Sequence, residues 1–199
     1  MRKHQSGMTA FLLLVVTFII SSCSTTPPQY YLLTPAQEVD TFGSPDQQDI
    51  ILGPVSLPEY LDRVQIVTRI SNGELHLSDN HRWAEPLEEN FSTVLAENLY
   101  VLNGSYRITV FPGGRLPDSG YRVIIDVARF DAEASGDVQL TATWSIIDVS
   151  TNESLHHQRS SYAQAYSQSS DYRGIVEALS KTVSLLSRDI HETINQVKD

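Results

Sequence analysis

Histidine is the residue type that most readily suggests metal chemistry in this chain. Four histidines lie in or beside apolar alternating runs, where an imidazole nitrogen could act as a ligand: His76, His81, His156 and His157. Their spacings match none of the arrangements that bring zinc ligands onto one helix face or one turn. His156 and His157 are neighbours on a predicted strand, so they point to opposite faces. We therefore predict no metal site.

Carboxylates and hydroxyls also form no pattern typical of catalysis. The sequence contains no GxSxG, HExxH, P-loop or GxGxxG motif. Glu88 and Glu89 are adjacent on a predicted helix and face different sides of it. Serine, histidine and aspartate are so abundant that a triad could be assembled by choice, and such an assembly has no specificity. We predict no catalytic residues and no enzymatic activity.

Charge and cysteine content exclude several classes of partner. The formal net charge is −10, and after residue 22 the chain carries 12 basic and 24 acidic groups. A nucleic-acid partner would require a basic stripe, whereas the arginines here are scattered singly. The single cysteine excludes an internal disulfide framework and zinc sites of the paired CxxC type. An acidic domain of this kind also has no electrostatic reason to stay on a membrane.

The first 22 residues have the layout of a signal peptide. Arg2 and Lys3 give a basic start, residues 11–20 are mostly apolar, and small Ser21 and Ser22 end the run. As a helix, the ten residues of the run would rise about 15 Å, roughly half of a bilayer core, which is too short for a stable span. The alternative is a buried N-terminal helix, which the basic flank and the small residues disfavour.

The residue after this run is the only cysteine. The stretch Ile20-Ser21-Ser22-Cys23 resembles a bacterial lipobox, although leucine is commoner than isoleucine at its first position. The resemblance implies N-acyl and S-diacylglycerol groups on Cys23, and Ser24 implies transfer to the outer membrane. Two or more acyl chains hold a soluble domain firmly, whereas one gives marginal attachment. Residues 23–29 then form the lipidated cysteine and a short tether, because the stretch has two prolines and no apolar periodicity.

The remaining residues, 30–199, are predicted to form one periplasmic domain of mixed α/β (α+β) type. Alternating or continuous apolar runs, separated by turn residues, indicate strands. The predicted strands cover residues 30–33, 50–55, 64–70, 75–77, 107–111, 121–127, 138–146 and 155–165. Ser71-Asn72-Gly73 joins two of them as a hairpin, and the last three form an antiparallel meander with Trp144 near its centre. The sheet is therefore expected to be mostly antiparallel.

Two principal helices, at about residues 86–103 and 171–197, are predicted to pack on this sheet. Pro86 suits a first helical turn, Glu88 and Glu89 favour the positive end of its dipole, and Asn103-Gly104 ends it. The second helix is capped by Ser169-Ser170-Asp171 and has apolar residues three or four apart. A coiled-coil partner for it is the weaker alternative, because regular charge pairs beside the stripe are lacking.

The segment before the first helix combines tryptophan, arginine and carboxylates. In the structural interpretation, Trp83 packs over the helix start and Arg82 pairs with a nearby carboxylate. In the functional interpretation, both belong to a protein interface, because Trp and Arg are common anchors there. Residues Tyr60, Arg63, Arg82 and Trp83 are the candidate partner interface.

Several motifs in residues 30–102 resemble the PqiC (YmbA) lipoproteins, the auxiliary lipoprotein family of ABC-type and MCE-type transport systems. They are Tyr30-Tyr31-Leu32-Leu33-Thr34-Pro35, Gly53-Pro54-Val55-Ser56-Leu57-Pro58-Glu59-Tyr60-Leu61-Asp62-Arg63, Gln65-Ile66-Val67-Thr68-Arg69, His81-Arg82-Trp83-Ala84-Glu85-Pro86-Leu87 and Leu95-Ala96-Glu97-Asn98-Leu99. The C-terminal half matches the family in pattern only.

The resemblance implies a periplasm-facing lipoprotein anchored in the bacterial outer membrane. Its expected partner is a periplasm-spanning MCE-domain protein (PqiB-like) and, through it, an inner-membrane PqiA-like protein. The expected role is lipid transport and envelope integrity, without catalysis. Because MCE proteins form symmetric rings, a matching homo-oligomeric ring is possible. Two alternatives stay open: a lipoprotein that binds lipid or a small molecule in an apolar cavity between sheet and long helix, and a structural envelope lipoprotein without a transporter.

Overall fold

A computed structural model describes residues 26–36, 47–71, 73–167 and 172–198. The predicted signal peptide, Cys23 and the predicted cap Ser169-Ser170-Asp171 lie outside these residues. Eight strands form one sheet: β1 Gln29–Tyr31, β2 Gln48–Ser56, β3 Gln65–Ser71, β4 Glu74–Trp83, β5 Tyr106–Val110, β6 Tyr121–Glu133, β7 Asp137–Asp148 and β8 Ser154–Ala165. A 3-10 turn, Glu59–Leu61, lies between β2 and β3.

Strand β6 organises the sheet. Along one edge it pairs with β7, which in turn pairs with β8, and both of these long ladders are antiparallel. Along its other edge β6 pairs first with β2 and then, near Ala132, with β3. The sheet therefore forks: β2 carries β5 as its outer neighbour, and β3 carries β4 and then β1. The pairings of β2 and β3 with β6, β2 with β5, and β1 with β4 are parallel.

Two helices, α1 (Leu87–Leu102) and α2 (Tyr172–Lys198), pack on one face of the sheet. Helix α1 starts after Pro86, and Glu88 and Glu89 lie in its first turn as expected. The apolar stripe of α2 is buried from Ile175 to Ile194. The predicted class, a mixed, mostly antiparallel sheet with two principal helices, is confirmed. No helix in the described part of the chain combines the length and the apolar character that crossing a bilayer requires.

The core lies between the helices and this face of the sheet. Trp144 on β7 is almost fully buried, and its indole N–H donates a hydrogen bond to Ser160 Oγ at 3.1 Å. Phe91 of α1 meets the Phe130 ring edge-on, with ring centres 5.3 Å apart. The central position predicted for Trp144 is confirmed, and its polar atom is satisfied by the next strand.

The first hairpin departs from the predicted alternation. Residues Val64 and Ile70 were expected on one apolar face with Ile66, yet their side chains are exposed by 55% and 52%. The β3–β4 ladder has irregularities after Gln65 and after Arg69, and β4 continues to Trp83. Irregular pairing breaks the two-residue period. The segment predicted as the approach to a helix is thus largely a strand.

Candidate functional site

The chain segment that follows β1 lies against both helices. We call residues 32–36 the N-terminal strap. Three of its backbone N–H groups donate to side chains of the helices: Leu33 to Asn90 Oδ1 (2.6 Å), Thr34 to Ser180 Oγ (3.1 Å) and Ala36 to Asn98 Oδ1 (2.7 Å). These bonds replace the ladder partners that an extended segment would otherwise need. The strap is therefore fixed to α1 and α2 by side chains.

The polar residues that hold the strap are themselves buried. Asn90, Asn98 and Ser180 are each at most 5% exposed, although they belong to the packed sides of the helices. Sequence reasoning missed them, because it followed the apolar residues of each helix. The available signal was an asparagine repeated two turns apart within the apolar stripe of α1. A buried amide is retained at such a position when it has a hydrogen-bond partner.

An aromatic cluster joins β1 to the start of α2. The Tyr31 hydroxyl and His81 Nδ1 are 2.8 Å apart and hydrogen bonded. The His81 ring stacks on Tyr172, with centres 4.0 Å apart and planes inclined by 15°. His81 is thus a packing residue that ties the first strand to the last helix.

Two of the four predicted interface residues have internal roles. Trp83 is 5% exposed and belongs to the core cluster that includes Leu87, as the structural interpretation expects. Its backbone N–H donates to the Val64 carbonyl at 2.7 Å. Tyr60 is half-buried, and its hydroxyl donates to Asp131 Oδ2 at 2.8 Å. Both side chains can support a surface, but neither is a free contact residue.

The other two predicted interface residues remain accessible. Arg63 is exposed, and Arg82 is half-buried. The expected ion pair of Arg82 is not found: within the described ranges no carboxylate lies in salt-bridge distance of it, and its buried Nε has no hydrogen-bond partner. On the sheet, Arg82 lies between Tyr30 of β1 and Gln65 of β3. Arg82 and Trp83 thus lie at the end of β4 beside the start of β3, whereas the Tyr60 hydroxyl bonds Asp131, which lies next to the residues of β6 that pair with Thr68 and Arg69.

A buried carboxylate that sequence reasoning missed lies on the sheet face opposite the helices. Phe130 and Ala132 face the core, so the intervening Asp131 projects to the other side, where its side chain is nevertheless fully buried. Arg69 binds it at 2.7 Å and Arg129 at 2.9 Å. The hydrogen bond to Asp131 raises the pKa of the Arg69 guanidinium further.

This cluster extends to two further titratable groups. Arg129 also contacts Glu133 at 2.7 Å, and this hydrogen bond is the main reason that the pKa of Glu133 is lowered. Burial, followed by the hydrogen bond to Asp131, raises the pKa of Tyr60 to about 12. Two guanidinium groups thus face two carboxylates, and the local charge is balanced. This arrangement stabilises the turn at Tyr60 and offers no free nucleophile or base.

The remaining histidines are dispersed. His156 lies 5.0 Å from the Trp144 ring on the helix side, whereas His157 Nδ1 bonds Ser145 Oγ at 2.8 Å. The predicted separation of these two neighbours onto opposite faces is confirmed. Across the described ranges, no group of three or more His, Cys, Asp or Glu side chains is placed to hold a metal ion.

Comparison with known proteins assigns the fold to a family. Residues 30–191 match the family of ABC-type transport auxiliary lipoprotein components. The chain belongs to this family. The match starts in β1 and ends within α2, so it includes the strap, the aromatic cluster and the Asp131 cluster. The family supplies the coarse role: an auxiliary lipoprotein of a transport system.

Solved structures show the same fold at low sequence identity. An uncharacterised protein has a TM-score of 0.68 at 18% identity, with 85% of this chain and 99% of that chain covered. A DUF330 protein of Xanthomonas campestris has a TM-score of 0.65 at 16% identity, with 81% and 92% covered. No curated protein matches the sequence significantly. The family fold therefore accounts for nearly the whole of both neighbours.

One surface groove of this family member adjoins the strap. It has a volume of about 630 Å³ and is open to solvent. Pro35 of the strap forms one wall, and Lys181 and Arg188 of α2 form the other. The groove differs from the apolar cavity between sheet and long helix that a carrier role predicts, because its lining is mixed and it lies on the outer side of α2.

Proposed function

We propose that this lipoprotein is the outer-membrane-anchored subunit of a Pqi-type MCE system for intermembrane lipid transport. It docks the periplasm-spanning MCE protein at the outer membrane and supports envelope integrity. The observation that carries the proposal is the family match over residues 30–191, which begins seven residues after a lipobox-like Cys23. No catalytic step is assigned to the chain.

In this proposal, the anchor is covalent. Removal of residues 1–22 leaves Cys23 as the first residue, with N-acyl and S-diacylglycerol groups attached. Each buried methylene contributes about 0.8 kcal/mol, so several chains hold the domain firmly. The domain itself is acidic, with 24 Asp and Glu residues against 12 basic ones after residue 22. Charge repulsion from anionic headgroups makes the lipid the necessary attachment.

The partner side of the proposal is a protein contact. An MCE-domain protein of the PqiB type is the direct partner, and a PqiA-like inner-membrane protein is reached through it. Of the four predicted interface residues, Arg63 is exposed and makes the docking contact in this proposal, Arg82 is half-buried, and Tyr60 and Trp83 are engaged within the fold. A homo-oligomeric ring is proposed as the form that matches a symmetric partner.

Site-specific crosslinking in the native host tests the docking role. A photoreactive residue replaces Arg63, and a matched variant carries it at Tyr100, an exposed position on α1. After irradiation, the two membranes are separated and adducts are identified by mass spectrometry. An MCE-domain adduct in the outer-membrane fraction from position 63 supports docking. Outer-membrane recovery with no MCE adduct from either position, while a general crosslinker also captures none, contradicts it.

A separate substitution tests the anchor. Cys23→Ala removes the acylated thiol and leaves the domain sequence unchanged. We expect the protein to appear soluble in the periplasm or to remain held by an uncleaved signal. Cleaved Cys23→Ala protein that is still bound to the outer membrane would contradict lipid attachment at this position.

A second candidate function, binding of a lipid or small molecule, is favoured by the groove beside the strap. Its volume of about 630 Å³ lies in the range of ligand sites, and its lining includes both cations and Leu185. Mass spectrometry of lipids that copurify with the purified lipoprotein tests this. Stoichiometric phospholipid that is lost in the Lys181→Gln/Arg188→Gln variant would support binding, whereas lipid-free protein would contradict it.

A further inference from the structure

Arg82 is an arginine with no partner in the described part of the chain. Its Nε is buried without a hydrogen bond, although the side chain as a whole reaches solvent. It lies in register with Tyr30 on one side and with Gln65 on the other. A guanidinium carries five N–H donors and binds phosphate in a bidentate manner. An unpaired, partly desolvated guanidinium therefore points to an anionic group supplied from outside.

Three exposed apolar side chains lie on, or next to, the two strands that flank Arg82. Tyr30, Leu32 and Val64 are exposed by 61%, 44% and 55%. Tyr30 and Leu32 belong to the β1 side of Arg82, and Val64 lies on the β3 side, where its carbonyl accepts the Trp83 N–H. We call Tyr30, Leu32, Val64 and Arg82 the β1-edge surface. Aromatic and aliphatic groups beside arginine are typical of residues at the membrane interface.

The length of the tether limits where this surface can lie. Tyr30 follows Cys23 by seven residues, and a fully extended chain spans at most about 3.6 Å per residue. Tyr30, the member of the β1-edge surface nearest the tether, therefore stays within about 25 Å of an acylated Cys23. The strap and the ladder between β1 and β4 fix β1 to the domain, so the domain cannot extend the tether by releasing its first strand.

We propose that the β1-edge surface rests on the lipid bilayer, with the Arg82 guanidinium bound to headgroup phosphate and Tyr30, Leu32 and Val64 in the interfacial layer. The proposal rests on the proposed function, because it requires the Cys23 anchor. It adds an orientation: the end of the sheet that bears β1 faces the membrane. The helices and the long meander then project toward the periplasm.

The charges nearby explain why the contact depends on the anchor. Exposed Glu85 follows Arg82 by three residues and exposed Asp62 precedes Val64 by two, so the surface is not strongly cationic. Free in solution, the domain would therefore bind lipid weakly. Tethering converts the contact into an intramolecular event at a high effective concentration. The surface thus orients a domain that the acyl chains already retain.

Spin labelling of the acylated lipoprotein tests the orientation. Cys23 has no free thiol when it carries diacylglycerol, so one introduced cysteine is labelled uniquely. Leu32→Cys and Val64→Cys report on the β1-edge surface, and Tyr100→Cys is the control at a similarly exposed site on α1. In vesicles of phosphatidylethanolamine and phosphatidylglycerol, oxygen and a water-soluble nickel chelate compete as relaxing agents. We expect the oxygen-to-nickel accessibility ratio to be at least threefold higher at positions 32 and 64 than at position 100.

Charge variants complete the test. Arg82→Gln should lower the ratio at position 64 toward that of position 100, Arg82→Lys should keep part of it, and Arg115→Gln, at an exposed loop site, should leave it unchanged. Circular dichroism verifies that each variant is folded. Equal ratios at all three labelled positions, in protein that is acylated and floats with the vesicles, overturn the orientation alone. A Cys23 without acyl groups by mass spectrometry overturns the proposed anchor as well. Loss of the MCE adduct in Arg82→Gln with unchanged label ratios assigns Arg82 to the protein partner and overturns the lipid contact.

Discussion

Tyr60 donates a hydrogen bond of 2.8 Å to Asp131, a residue 71 positions later in the chain. The bond ties the short 3-10 turn after β2 to the middle of the sheet, on the face that the helices leave open. Arg69 strengthens the link, since its guanidinium binds Asp131 and lies 5.8 Å from the centre of the Tyr60 ring. The part of the chain that carries a predicted interface motif is thus held by one buried carboxylate.

Removal of the Asp131 charge should destabilise the folded protein. In Asp131→Asn, two guanidinium groups with only 20% and 23% side-chain exposure lose their shared carboxylate. We expect the free energy of unfolding to fall by about 3 kcal/mol, the order observed when one member of a buried ion pair is removed. Urea denaturation measures the loss, and Asp118→Asn, in an exposed loop, should change stability by less than about 0.5 kcal/mol. Equal stability of the two variants would show that the cluster contributes nothing net.

Alkaline pH should weaken the same link. The ordinary pKa of a tyrosine hydroxyl is 10.0, whereas burial and the bond to Asp131 raise that of Tyr60 to about 12. The folded chain therefore holds a proton that the unfolded chain releases, so this contribution is complete below pH 10 and is lost as the pH rises to about 12. Across this pH range, the free energy of unfolding should fall less steeply with rising pH in Tyr60→Phe than in the wild type. Tyr100→Phe, at an exposed site, should keep the wild-type slope, and identical slopes in both variants would contradict the shift.

The strap offers a test of side-chain bonding to an extended segment. Asn90→Ala removes the acceptor of the Leu33 N–H, in a region where Leu33 is 3% exposed. An unpaired buried N–H costs about 2 kcal/mol, and we expect stability to fall by this order. Hydrogen exchange at the Leu33 amide should accelerate in parallel. Glu97→Ala, on an exposed position of the same helix, serves as the control, and an unchanged exchange rate in Asn90→Ala would show that another group protects the strap.

Two glycines with positive φ allow the cost of backbone strain to be measured apart from the cost of a steric collision. Gly120 has φ +110°, and a Cβ there would collide with the backbone oxygen of Asp49. Gly73 has φ +91°, with no atom near enough for its Cβ to touch. Gly73→Ala should cost about 1 kcal/mol from the left-handed backbone alone, and Gly120→Ala about 3 kcal/mol or more. Thermal unfolding of both variants measures the difference, and equal losses would mean that β2 moves aside without cost.

The parts of the fold that sequence predicts well are those with an uninterrupted period. Helix α2 repeats apolar residues every three or four positions, and β7 alternates from Val138 to Ile146 with buried and half-buried side chains. On β6 the period breaks, because the register shifts between Val127 and Arg129. Beyond that point the core face is carried by Phe130 and Ala132. Only with the partner strand known does Asp131 emerge as the residue on the opposite face.

The candidate site was harder to predict for a related reason. Residue type suggests that Trp83 and Tyr60 could anchor a partner, but burial and the bond to Asp131 give them internal roles. Arg82 was expected to have a carboxylate partner, yet none is in reach among the described residues. Sequence neighbours such as Glu85 are not spatial partners when a strand ends and the chain turns. Composition therefore singled out a segment for the predicted interface without indicating which of its side chains face outward.

The bond between Thr34 and Ser180 spans 146 residues and has a consequence for the order of assembly. If the chain is exported N-terminus first, as the proposed function requires, its proposed lipid-bearing end emerges early and Ser180 near the end of its passage. Closing so long a loop must wait until α2 has arrived and packed. The contact of the strap with α2 is therefore among the last to form, and a chain truncated before α2 would keep only the strap's bonds to α1 and the pairing of β1 with β4.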